Sequence, residues 1–203
     1  TGVQTCALPI WARCYRSLLA HYYNLLIPAD ASVLEIGCGS GELLALLRAK
    51  RKAGVDLSAK QIAAARQRLP EATLLVQSGE ELQLEGSFDV IVISDTLNLA
   101  ADVQRLLERL HRVSHTGTRL IVNFQNSLWR PALSLARVLG LKARQPQNSW
   151  LASSDVLNLL QLSGWSAISH QHRVLLPVKV PLLAPVLNRW LAPLIPWLCL
   201  KIG

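Results

Sequence analysis

Short, branched and almost uninterrupted apolar runs recur along this chain, with longer stretches of helical period between them. The runs at 32–36, 52–56, 73–77, 88–93, 117–124 and 166–175 predict strands covered on both faces. Segments such as Lys60-Gln61-Ile62-Ala63-Ala64-Ala65-Arg66 and 103–113 predict helices; in the latter Arg105, Arg109 and Arg112 fall on the outer face. Strand and helix alternate at short intervals, which implies crossover connections and a doubly wound, mostly parallel α/β sheet. The 203 residues suit one core. Residues 1–10 fit no period and are read as a non-native leader, which leaves 11–203 as a single domain.

Val33-Leu34-Glu35-Ile36-Gly37-Cys38-Gly39-Ser40-Gly41 carries the most chemistry. A buried strand runs into a loop with glycine at alternate positions, and Glu42-Leu43-Leu44-Ala45-Leu46-Leu47 then turns helical. Such a loop admits positive φ and lets a ligand lie against peptide N–H groups at a helix N-terminus. The dinucleotide fingerprint G-x-G-x-x-G is not met, because the third glycine comes one position early and Glu42 takes the last place. That spacing favours an adenosine-containing cofactor without a pyrophosphate. A second strand, Ala53-Gly54-Val55-Asp56-Leu57-Ser58, ends in a carboxylate about 20 residues on, where a ribose diol is caught. Ser58 is expected to cap the next helix, leaving Asp56 free.

The run VLEIGCGSGELL with GVDLS downstream resembles motif I and the acidic strand end of class I S-adenosylmethionine-dependent methyltransferases. The resemblance continues through Leu74 to Leu82, Ser87 to Asp95 and Thr118 to Phe124, where the family's third, fourth and fifth strands belong. It implies the strand order 3-2-1-4-5-7-6, with 197–203 as the start of a last, antiparallel strand that is cut short. It also implies S-adenosyl-L-methionine as cofactor. Glu35, Gly37, Cys38, Gly39 and Gly41 would hold the methionine end and ribose, and Asp56 and Leu57 the ribose side. Ser78, Gly79 and Glu80 would border the adenine, and Ser94 lies at the end of the fourth strand. Ser78 stands where the family often has aspartate, so the adenine contact is expected to be weaker. More narrowly, Asn126-Ser127-Leu128-Trp129-Arg130-Pro131, Gln147 to Leu151 and Pro181-Leu182-Leu183 resemble a bacterial subgroup found beside, or fused to, family 2 glycosyltransferases.

The carboxyl edge of an open sheet is where ligands collect, so Asp95 is the candidate catalytic group and Thr96 and Asn98 candidate acceptor contacts. Asp95 or Thr96 could equally cap the following helix. Asn123, Gln125, Asn126, Asn148 and Trp150 are amide and aromatic groups suited to a hydroxyl-bearing acceptor. His111 is expected to meet carbonyls near a helix end, and His115 to lie on the wrong edge of the sheet. His170 and His172 are expected to be exposed on a late strand. Methyl transfer from a sulfonium needs alignment more than a base.

The four cysteines show no paired or metal-ligating spacing, so free thiols in a reducing, cytoplasmic compartment and no metal are expected. Cys38 reads as packing rather than a nucleophile. A net charge of +8 raises nucleic acid as a partner, but aromatics do not interleave with the basic cluster Arg48, Lys50, Arg51 and Lys52. After the fourth strand the chain has Ser94-Asp95-Thr96-Leu97 rather than the N-P-P-Y type of motif. The segment 181–200 is apolar but holds Pro181, Pro185, Pro193 and Pro196 and the Asn188-Arg189 pair, which argues against a span and leaves peripheral membrane contact open. The expected activity is methyl transfer to an oxygen or nitrogen of a small or carbohydrate-like acceptor. The alternatives are a non-catalytic partner module of a glycosyltransferase, an RNA methyltransferase, and a nicotinamide-dependent oxidoreductase, the last lacking an evident hydride-site acid.

Overall fold

The computed structural model describes residues 9–124, 151–169, 171–174 and 200–202. Helix α1 (Pro9–Leu26) leads into β1 (Ser32–Ile36), α2 (Glu42–Leu46), β2 (Arg51–Asp56), α3 (Ala59–Arg68), β3 (Thr73–Val76) and β4 (Val90–Ser94). Then come α4 (Val103–Leu110), β5 (Arg119–Phe124), α5 (Ser153–Leu162), β6 (Gln171–Val174) and β7 (Leu200–Ile202). The sheet order is β3-β2-β1-β4-β5-β7-β6. The five strands from β3 to β5 are parallel, with Val33 opposite both Lys52 and Val90, and β7 runs antiparallel to β5 and β6. This is the doubly wound sheet the alternation predicts.

Period-two alternation sends neighbouring strand residues into two cores. Val33, Val90, Val92 and Ile121 pack with Leu19, Ala20, Tyr23, Leu43, Leu44, Ile62 and Ala65 under α1, α2 and α3. Leu34, Ile36, Ile91, Ile93 and Val122 pack on the other face with Val103, Leu106, Leu107 and Leu110 of α4 and Val156 of α5. Those four α4 residues recur at i, i+3, i+4 and i+7, and Asp102 starts the helix by accepting from Arg105 N at 2.9 Å. Burying each leucine contributes about 1.5–3 kcal/mol, so the α4 stripe outweighs the solvated arginine face in seating the helix.

Several boundaries differ from the sequence expectation, β4 beginning at Val90 and β5 at Arg119, each two residues late. Helix α1 begins at Pro9, two residues before the expected domain start, because proline suits the first helical position, where its missing N–H has no partner to lose. Among the described residues of the strand expected at 166–175, Gln171 to Val174 form it and 166–169 do not. Upstream of it Trp165 is fixed by other bonds, its indole donating to Leu107 O at 3.0 Å and its ring stacked on His111 at 4.7 Å. Those contacts hold the chain off the sheet.

Candidate active site

The glycine loop is pinned to β2 by Gly37 N and Cys38 N, which both donate to Val55 O at 2.8 and 3.0 Å. Gly37, Gly39 and Gly41 all take positive φ, at 73°, 53° and 70°. They are glycine for different reasons. A Cβ on Gly37 would lie 2.3 Å from Thr96 Oγ1, whereas one on Gly39 would meet nothing within 4 Å. The open side of the loop is therefore at Gly39, where peptide faces space that a ligand can fill. Asp56 lies at its margin: Oδ2 accepts from Gly39 N at 2.9 Å and Oδ1 from Ser58 N at 2.8 Å. Ser58 does cap α3, accepting from Gln61 N, and Asp56 is left out of the cap as expected. It holds the loop, and its two oxygens retain lone pairs for ribose hydroxyls. The adjoining Leu57 is 74% exposed, an apolar surface at the same margin.

Glu35 plays a different part from the ligand contact that the resemblance implies. Its side chain is only 3% exposed, beneath the N-terminus of α2. The N-cap Gly41 offers that helix no side-chain acceptor, and the Leu44 backbone N–H lies near enough to Glu35 to favour its charged form. Burial, partly offset by Arg16 and that N–H, pushes the carboxyl up to about 8, while Oε2 has no hydrogen-bond partner. Glu35 builds the loop from below.

Above the loop, Glu42 opens α2 and pairs with Arg16 of α1 and with Arg68 of α3, which also donates to Ser40 O. A carboxylate in a first helical turn suits the helix dipole, and here it also ties three helices to one loop. Arg16 and Arg68 were not legible as site residues in the sequence.

At the carboxyl end of β4, Asp95 adopts φ 55°, an unusual state for a non-glycine residue. Asn123 holds it there, its Oδ1 accepting from Asp95 N at 2.6 Å and its Nδ2 donating to Tyr15 Oη at 3.3 Å. Tyr15 in turn donates to Asp95 Oδ1 at 3.1 Å, and burial with the nearby Asp95 charge holds the phenol well above its ordinary range, so it stays a donor. Tyr23 donates to Ser94 Oγ at 3.3 Å. Asp102 caps α4, and Thr96 donates to Ser94 O. Asn123 and Asn98 are 0% and 5% exposed, so the acceptor contacts expected of them are corrected: Asn123 shapes the edge from within and Asn98 is covered. The signal for Tyr15 and Tyr23 was their i, i+8 spacing with Leu19 between them, since a buried phenol needs a polar partner. We expect Asn123→Ala to lose about 2 kcal/mol in urea unfolding, because it strands the Asp95 N–H and takes one of the two bonds of the Tyr15 hydroxyl, and Tyr15→Phe about 1.

At the adenine margin Ser78 already accepts from Glu80 N at 3.2 Å, capping a short turn. Glu80 reaches away to Ala101 N and Asp102 N at 2.7 and 3.3 Å. Gly79 is demanded by packing, since a Cβ there would sit 2.5 Å from Leu106 Cδ1. These three close the turn onto α4. Cys38 is a free, buried thiol, and burial pushes it far above its ordinary value, which suits packing and not nucleophilic attack. His111 meets Ser163 O at 2.6 Å, and His115 pairs with Asp89 on the amino edge. Gln125, Asn126, Asn148, Trp150 and His170 lie outside the described residues, as do the segments behind the narrower resemblance, Leu151 excepted, and 181–199.

Residues 34–122 match a family described as methyltransferase domain. A trans-aconitate 2-methyltransferase of Deinococcus radiodurans is 37% identical over 53% of this chain and 43% of its own. The chain spans less than half the length of the curated relatives it matches. A methyltransferase structure from Thermotoga maritima superposes with TM-score 0.68 at 22% identity, over 84% of this chain and 80% of that one. Magnesium protoporphyrin IX methyltransferase from Synechocystis, solved with S-adenosylhomocysteine, superposes with TM-score 0.62 at 18% identity, over 85% and 78%. Sheet order, glycine loop and acidic strand end agree with these matches: residues 34–122 are similar to a methyltransferase domain, and the fold is that of the superposed S-adenosylmethionine-dependent methyltransferase structures.

Proposed function

We propose that the domain binds S-adenosylmethionine at the glycine loop and transfers its methyl group to an oxygen, or a nitrogen, of a small or carbohydrate-like acceptor. The observation that carries this reading is the open face of Gly39 with the Asp56 carboxylate hydrogen-bonded at its margin. A cofactor lying there meets backbone N–H groups and the start of α2, with Asp56 accepting from its ribose hydroxyls. The cofactor supplies an electrophilic methyl on a sulfonium that leaves readily. This chain's residues supply alignment: the Glu42 ion pairs hold the loop, and Asn123 and Tyr15 hold Asp95 at the sheet edge to orient an acceptor hydroxyl. The relatives named for trans-aconitate and magnesium protoporphyrin IX support a small acceptor. The resemblance of 126–131 and 147–151 to the glycosyltransferase-linked subgroup supports a carbohydrate-like one, and the free Cys38 a reducing, cytoplasmic setting.

Calorimetry with S-adenosylhomocysteine and with NAD tests the cofactor. We expect selective binding of the former, weakened at least tenfold in Asp56→Ala. Preference for NAD, or no binding by the folded protein, overturns the proposal. Labelled-methyl turnover with small carboxylates and sugars then separates an enzyme from a non-catalytic partner module.

A further inference from the structure

The amino edge of the sheet, opposite the candidate site, carries a second organised surface. Helix α1 has its buried stripe of Leu19, Ala20, Tyr23 and Ile27, yet its last turn also exposes Leu25 and Leu26, by 71% and 42%. Leu46, at the end of α2, is 44% exposed. Asn24 brings these helix ends together, donating from Nδ2 to Leu46 O at 3.0 Å and accepting at Oδ1 from Arg48 N at 2.7 Å. Three leucines thus stand in water around one fixed corner.

Cations surround them. Arg48 and Lys50 leave α2, with Lys50 N donating to Ala31 O, and Arg51 begins β2. Arg119 begins β5 and reaches Leu26 O at 3.4 Å. Among the described residues none of these four forms an ion pair within 4 Å. The acids that lead into the strands on this edge are Asp30, Glu71, Glu85 and Asp89, the last bonded by Ser32 and His115. Exposed leucines ringed by unpaired lysine and arginine match the chemistry of an anionic lipid surface, in which the leucines enter the headgroup boundary and the cations meet phosphates. A nucleic acid would use the cations and leave the leucines idle.

We propose that the corner formed by Leu25, Leu26, Leu46, Arg48, Lys50 and Arg119 docks this chain peripherally on an anionic membrane. Parallel strands point the glycine loop to the opposite edge, so docking turns the candidate site toward the aqueous phase. The consequence is an acceptor that arrives from solution rather than within the bilayer.

Vesicle co-sedimentation of the 203-residue chain tests this, with phosphatidylcholine alone and with about one-third phosphatidylglycerol. We expect binding to the anionic vesicles only. Each cation is worth roughly a fivefold change in partition, so Arg48→Glu with Lys50→Glu is expected to lower it at least tenfold. Leu25→Ser with Leu26→Ser is expected to do the same, circular dichroism showing both variants folded. No binding, equal binding to neutral vesicles, or a loss confined to the charge variant would overturn the proposal. Retention of a single-stranded RNA oligonucleotide that depends on the cations but not the leucines would assign the patch to nucleic acid instead. Concentration-dependent dimerisation abolished by the leucine variant, without vesicle binding, would assign it to a second copy.

Discussion

Glu35→Gln is expected to stabilise this domain at neutral pH by roughly 3 kcal/mol and to flatten its stability between pH 4.5 and 8. The folded carboxyl is raised to about 8 from an ordinary 4.5, chiefly by burial. Between those values the folded state binds a proton that the unfolded state has lost, so native stability falls as pH rises from about 4.5 to about 8 and levels off above. Glutamine cannot ionise and keeps the size and shape of the buried side chain. The expected result is a Glu35→Gln variant no more stable than the native protein at pH 4.5 but melting several degrees higher at pH 7.5. Parallel slopes for the two proteins would mean that Glu35 is not the group responsible. The gain comes with a cost to ligand binding if the carboxylate also serves the cofactor, which calorimetry on the same variant reads separately.

Alanine at the first two glycines of the loop is expected to give opposite phenotypes. Gly37→Ala places a methyl group 2.3 Å from Thr96 Oγ1 and 2.4 Å from its Cγ2, at φ 73°. Backbone strain of about 1 kcal/mol and overpacking of about 1–3 add to roughly 2–4, a large share of the 5–15 that hold an ordinary domain. Gly39→Ala at φ 53° meets nothing within 4 Å, so it adds only the backbone term of about 1 kcal/mol. Its methyl group instead enters the space assigned to the ligand. Urea unfolding should separate the two by 1–3 kcal/mol, and S-adenosylhomocysteine binding should be lost in Gly39→Ala while the protein remains folded. Equal loss of stability in both would show that the loop's open face is covered.

Much of this was legible in sequence because it rests on local pattern. The strand runs, the glycine spacing and the Asp56 strand end are set by residues within a few positions of one another, and Ser58 caps α3 as expected. What was misread depends on distant partners. Asn123 was expected to line an acceptor but is enclosed between Asp95 and Tyr15, and the bond from Gly39 N to Asp56 was not foreseen. Tyr15 lies 108 residues from Asn123, and no period connects them.

Hydrophobic period and glycine spacing act locally, and they are enough for the doubly wound sheet, the loop that a cofactor can approach and the edge at which it lies. Tertiary structure alone decided that Glu35 serves α2 from beneath, that Arg16 and Arg68 clasp Glu42, and that Asp95 is held in a positive-φ state. It also decided that three leucines from two helices share one cationic corner. Burial, charge pairing and desolvation depend on which distant groups meet, and only the folded chain brings them together.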